Sequence, residues 1–135
     1  MSPRNRLLYT LAILICIIAA MHLAAMLLFL YWALWWYDII LHFLGGVFVG
    51  FLALWLNFFS GYFGTPALPS SRRVLCFVLV VTLVVGIGWE VFERLLGHTW
   101  SVEGYWLDTS VDVVLDLLGG VAAFSYFKHE YMNRG

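Results

Sequence analysis

Charge is what this chain has least of. Asp, Glu, Lys and Arg together make up 11% of its 135 residues, where a soluble domain carries about 25%. It has no basic run, so nothing offers the electrostatic footprint that nucleic acid requires. Cysteine is scarce too. Cys16 and Cys76 both fall in apolar runs, and they read as small buried hydrophobes rather than a disulfide or a metal pair. Catalytic motifs of known mechanics are missing: there is no nucleophile elbow, no phosphate-binding loop and no zincin helix. The net charge of −1 selects no partner.

Hydrocarbon fills the chain instead. Apolar residues make up 64% of it, which points to an integral membrane protein whose length suits one domain over residues 1–135. A membrane-spanning helix needs about 20 apolar residues. Four stretches supply them: about 7–29, 38–59, 73–96 and 108–127. The start resembles a signal peptide, but its apolar run is far longer than the usual ~7–15 residues and no small-x-small site follows, so it reads as a retained first helix. Tyr31, Trp32, Trp35, Trp36 and Tyr37 crowd between the first two spans. Such aromatics prefer the membrane interface, although no Gly or Pro marks the turn. Gly61 to Ser71 and Gly97 to Leu107 read as loops.

Lys and Arg favour cytoplasmic segments. Arg4 and Arg6 precede the first span, Arg72 and Arg73 sit between the second and third, and Lys128 and Arg134 follow the fourth. Only Arg94 falls on the other side. The expected fold is therefore all-α, a bundle of four transmembrane helices with both termini cytoplasmic. This topology collects the acids. Asp38, Glu90, Glu93, Glu103, Asp108, Asp112 and Asp116 all fall in the outer half, leaving only Glu130 inside. An ionised group at mid-bilayer costs about 2.5–3.5 kcal/mol on insertion scales. Asp38, His42, Glu90, Glu93, Asp112 and Asp116 thus read as one site needing a cation, shared protons or water.

The second and fourth spans resemble each other. Asp38-Ile-Ile-Leu-His42-Phe-Leu-Gly-Gly46-Val aligns with Asp112-Val-Val-Leu-Asp116-Leu-Leu-Gly-Gly120-Val, which suggests a duplicated hairpin. Residues four apart share a helix face. Asp38 and His42 point the same way, and so do Asp112 and Asp116. Gly46 with Gly50, and Gly119 with Ala123, form small-x-x-x-small pairs that let helices approach closely. Gly86, Glu90 and Glu93 share a face of the third span, and His22 of the first reaches the same layer.

Plainer roles compete for several of these residues. Asp38 and Asp108 suit helix N-termini, and Thr109-x-x-Asp112 has the form of a capping box with Asp in place of Glu. Glu90 and Arg94 are spaced for a simple ion pair. His22 reads as a hydrogen-bonded packing residue and His98 as a loop residue. His42 and Asp116 lie a turn too deep for capping. Carboxylates with one imidazole and no thiolate suit Mg²⁺, Mn²⁺, Ca²⁺ or Zn²⁺, with Asp38, His42, Asp112 and Asp116 as ligands and Glu90, Glu93 and Asp112 as catalytic groups. Such a site could serve a hydrolase or transferase acting on lipid phosphates or lipid-linked envelope precursors. The same groups could instead handle protons or cations, or simply lock a small accessory subunit. Membrane lipids are the expected partners, with a homo-oligomer or larger membrane complex compatible with the length.

At Trp36-Tyr-Asp38-x-x-x-His42-Phe, Trp89-Glu90-x-x-Glu93 and Asp108-Thr109-x-x-Asp112 the chain resembles the YjdF-like family of bacterial inner-membrane proteins. It is more distantly similar to VanZ-like proteins. The resemblance covers roughly residues 36–122. Asp116 and the doubled glycines depart from the pattern. The resemblance implies a polar-lined multi-helix protein of the bacterial inner membrane, and through the VanZ-like proteins it implies lipid or envelope substrates.

The basic-residue bias yields a test of orientation. With Cys16 and Cys76 replaced by serine, a cysteine at Ser101 should react with an impermeant thiol reagent on intact cells, and one at Thr65 should stay protected. The reverse pattern would overturn the orientation.

Overall fold

The computed structural model describes residues 2–63, 70–97 and 104–132. His98, Glu103 and Arg134 lie outside these, as does much of both expected loops. Four long apolar helices cross the bundle: α1 (Pro3–Leu28), α3 (Tyr37–Phe58), α4 (Ser71–Leu95) and α5 (Tyr105–Phe127). Each is long and apolar enough to span a membrane. A four-residue helix, α2 (Leu30–Ala33), fills the aromatic link between α1 and α3, and a π-helical turn over Lys128–Met132 extends α5. Among the described residues there is no strand.

The helix ends follow local chemistry. Ser2 caps α1, its side chain accepting from the Asn5 amide, and Pro3 occupies the first turn where its missing N–H is no loss. The link to α2 lacks glycine, so Phe29 itself takes the left-handed conformation at φ 55°. A bulky side chain rarely adopts this conformation. Gly104 at φ 97° lets α5 begin at Tyr105, three residues before the expected start. That shift alters two readings. Asp108 and Thr109 lie inside the helix rather than at its cap, so the capping box does not form. Asp38 likewise sits in the first turn of α3 behind Trp36, which makes no side-chain cap.

Helix α3 is the centre of the packing. It lies most extensively against α5, and α1 joins the bundle chiefly through α3. The α3–α5 contact is a backbone contact made by glycines. A Cβ on Gly46 would strike the Asp116 carbonyl, and one on Gly119 would strike the Phe43 carbonyl. One turn on, a Cβ on Gly50 would stand 2.8 Å from that of Ala123. Small residues here supply the attraction that the hydrophobic effect cannot supply between helices in lipid.

The bundle has two unlike ends. Leu7, Leu11, Leu54, Val74, Val78, Ala123, Phe124 and Phe127 form an apolar core at one end. The start of α1 and the turn after α5 meet there, with Arg6 3.7 Å from Glu130. The ionisable cluster occupies the other end. Outward side chains are mostly apolar, among them Leu27, Leu28, Val84 and Val114. Cys16 and Cys76 belong to this outward set rather than to the core. In a membrane helix an apolar side chain needs no burial in protein, so position in an oily run does not predict an inward face.

The glycine crossing is open to test by single methyl groups. Gly46→Ala should lower the melting temperature in detergent by the equivalent of about 1–3 kcal/mol through overpacking. A Cβ on Gly88 meets nothing within 4 Å. Gly88→Ala should therefore be neutral or stabilising by up to about 1 kcal/mol through helix propensity. Equal effects at both positions would contradict the crossing.

Candidate metal centre

Three helices deliver the cluster. α3 presents Asp38 and His42 from its first two turns, four residues apart on one face. α4 presents Glu90 and Glu93 from its last two turns. α5 presents Asp112 and Asp116. His42, Glu90, Asp112 and Asp116 are all buried, between 4% and 7% exposed, whereas Asp38 and Glu93 are half-buried.

The imidazole of His42 is the hub. Its Nε2 stands 3.8 Å from Asp38 Oδ1, 3.9 Å from Glu90 Oε1 and 3.8 Å from Asp112 Oδ2. These gaps are too long for hydrogen bonds, which fall at about 2.7–3.2 Å. They suit atoms arranged about a shared centre. Ligands ~2.0–2.6 Å from one ion stand roughly 3–5 Å apart. Ligand atoms of Asp38, His42 and Asp112 all lie within 4.8 Å of one another, and those of His42, Glu90 and Glu93 do the same. Glu90 Oε1 is buried with no hydrogen-bond partner. Leaving such an oxygen dry and unpaired is costly, and a cation beside His42 would satisfy it. The donor set and this orphaned atom therefore fit a hard divalent ion.

Asp116 takes a different position from the other acids. Its Oδ1 lies 3.5 Å from His42 Nδ1, on the opposite side of the ring. Glycines make its berth: a Cβ on Gly86 would come within 2.5 Å of Asp116 Oδ2, and one on Gly45 within 3.8 Å of Oδ1. A carboxylate on one ring nitrogen fixes the tautomer and aims the other nitrogen at a ligand. Glu90 is positioned in the same spirit by Thr109, whose hydroxyl donates to Oε2 at 2.8 Å. Thr109 is therefore a support for Glu90 rather than a helix cap, because α5 begins at Tyr105 and carries Thr109 inside its first turns. Arg94 does not neutralise Glu90. Its guanidinium lies over the Tyr105 ring, 3.9 Å from the centroid. Among the described residues no lysine or arginine forms an ion pair with the cluster.

Beside the cluster opens a cavity of about 300 Å³, the lower end of the usual range for small-molecule sites. Asp38, His42, Glu93 and Asp116 face it, with His22, Tyr31 and Trp89. His22 Nδ1 and the Tyr31 hydroxyl share a hydrogen bond of 2.7 Å. Burial, then the nearby carboxylates Asp38 and Glu93, pushes the Tyr31 phenol well above its ordinary range. Tyr31 therefore remains a neutral hydrogen-bonding group at neutral pH. Thr82 also lines the cavity, its hydroxyl buried and unpartnered.

These features define a small multi-pass membrane protein with a buried histidine and carboxylate centre inside its helical bundle. The chain belongs to the family described as Predicted membrane protein (DUF2238), whose model matches residues 1–131. No curated protein and no solved structure matches it.

The Thr109 contact yields a direct expectation. Thr109→Val keeps the shape and removes the donor, leaving a buried carboxylate oxygen unsatisfied. The protein should lose about 1–3 kcal/mol, read as a lower melting temperature in detergent, while Thr109→Ser restores it. A Val variant as stable as the parent would remove Thr109 from the centre.

Proposed function

We propose that this protein is a metal-dependent hydrolase or transferase of the bacterial inner membrane, acting on lipid phosphates or lipid-linked envelope precursors from the outer face. The observation that carries the reading is a charge imbalance. Five carboxylates surround one imidazole, and four of the six groups are buried. Buried charge persists when it is paired or bound to metal. The YjdF-like resemblance supports the compartment, and the basic residues near the chain ends support cytoplasmic termini.

Asp38, His42 and Asp112 would hold the ion, with Glu90 as a further donor and Asp116 orienting His42. A bound divalent ion would polarise a phosphoryl oxygen or activate water. Of Glu90, Glu93 and Asp112, Glu93 faces the cavity and would accept a proton from a water there. Glu90 and Asp112 lie deeper and serve chiefly to hold and balance charge. The apolar walls exclude bulk water, which strengthens every electrostatic interaction inside.

The test is melting temperature and metal content of the purified protein in detergent. With Mg²⁺, Mn²⁺, Ca²⁺ or Zn²⁺ at about a hundredfold above Kd, the parent should gain ~2.7 kcal/mol from binding. The variant carrying Glu90→Gln, Glu93→Gln and Asp112→Asn should gain much less. In chelator it should melt above the parent, because repulsion among carboxylates is relieved. His42→Ala should lose both bound metal and phosphate release from phosphatidic acid vesicles while remaining folded. A parent indifferent to every ion, with a variant that melts lower in chelator, would overturn the metal reading. Metal-free protein conducting ions into liposomes would replace it with a cation-handling role.

A further inference from the structure

The cavity beside the cluster has a direction as well as a volume. Its polar end is formed by His22, Tyr31, Asp38 and Glu93, and its opposite end by Ile15 and Val49. Along α3 the eleven steps from Asp38 to Val49 advance ~16 Å. That is about half of a hydrocarbon core of ~30 Å, the depth of one leaflet's hydrocarbon. A volume of about 300 Å³ over that length gives a mean section of about 19 Å². The lining residues are spread lengthwise along α1, α3 and α4. Its floor is α3, and its sides are α1 and α4, which do not pack substantially against each other. The side facing lipid is therefore the gap between these two helices.

Resting on the metal-centre reading above, we propose that this cavity is a slot for one hydrocarbon chain of a membrane lipid, which enters sideways between α1 and α4. The tail points to the midplane past Ile18 and Val49, and the phosphate-bearing headgroup comes to rest at the cluster. The argument is a match of gradients. A lipid in the leaflet nearest the cluster is polar at the surface and apolar at the midplane, and the cavity has the same order over the same distance. A water-soluble substrate would leave the inner half of the cavity, lined by Ile15, Ile18 and Val49, against nothing it could use. Val49 marks the end of the slot and sets the chain length accepted, whereas the hydrogen-bonded Tyr31 and His22 lie where the headgroup passes.

The test uses hexadecylphosphonate carrying a diazirine near its chain end, in phosphatidylcholine vesicles with Mg²⁺, Mn²⁺, Ca²⁺ or Zn²⁺ added, so that the headgroup meets the metal while its carbon–phosphorus bond prevents turnover. Labelled residues are mapped by mass spectrometry. The parent should be labelled at Ile15, Ile18 or Val49, and excess unlabelled hexadecylphosphonate should compete the signal away. Val49→Trp should reduce the inner label roughly tenfold, while Leu27→Trp on the outward face of α1 should leave it unchanged. Label scattered over outward residues of α1 and α4, without competition, would overturn the slot even with every variant folded. The two readings fail separately. Slot labelling without phosphate release in added metal keeps the slot and removes the hydrolase. Phosphate release with scattered labelling does the reverse.

Discussion

The structure depends on the backbone approach of α3 and α5 at Gly46 and Gly119. Neither position admits a side chain. With larger residues the two helices would stand further apart, and the ionisable groups they carry would separate with them. His42 would lose Asp112 from its Nε2 and Asp116 from its Nδ1 together. The packing that holds this membrane bundle and the geometry that assembles its polar centre are thus a single contact, described at two depths of the same helix pair.

The centre itself is a problem in compensation. Hydrogen bonds satisfy only part of it: Thr109 serves one oxygen of Glu90, and the other is left facing His42. An imidazole carries at most one positive charge, and five carboxylates share it. A cluster that served only to lock helices would be less expensive with amides or hydroxyls in place of acids, because buried ion pairs rarely outperform well-packed neutral groups. Retaining acids around one ring nitrogen, with spacings longer than hydrogen bonds, is the arrangement expected where a cation completes the set.

Much of this was legible in the sequence, for physical reasons that differ by element. The spans stand out because a bilayer demands length and apolarity. The grouping of Asp38, His42, Glu90, Glu93, Asp112 and Asp116 follows from helix direction and i to i+4 spacing, both rigid properties of an α-helix. Helix starts were less legible. Gly104 begins α5 in a region where no apolar periodicity announces it, and that moved Asp108 and Thr109 from cap to helix interior. The outward placement of Cys16 could not be read, because α1 is oily on every side and carries no amphipathic signal; on α4 the face of Thr82, Gly86 and Glu90 marks the inward side, and Cys76 lies off it. The division of labour around His42, with Asp116 on one nitrogen and the other acids on the second, depends on ring orientation. Spacing along a chain does not encode that.

The separation of the two ends gives the molecule a vector. Arg6 and Lys128 lie at the end where α1 begins and α5 finishes, and the clustered carboxylates lie at the other. Membrane insertion sorts helices by their basic flanks, and the orientation proposed above would hold for every copy. Each copy then carries its acidic centre to the same face. Any difference in ion concentration or potential across the membrane therefore acts on every centre with one sign, and the membrane's own gradients become a fixed part of the site's environment.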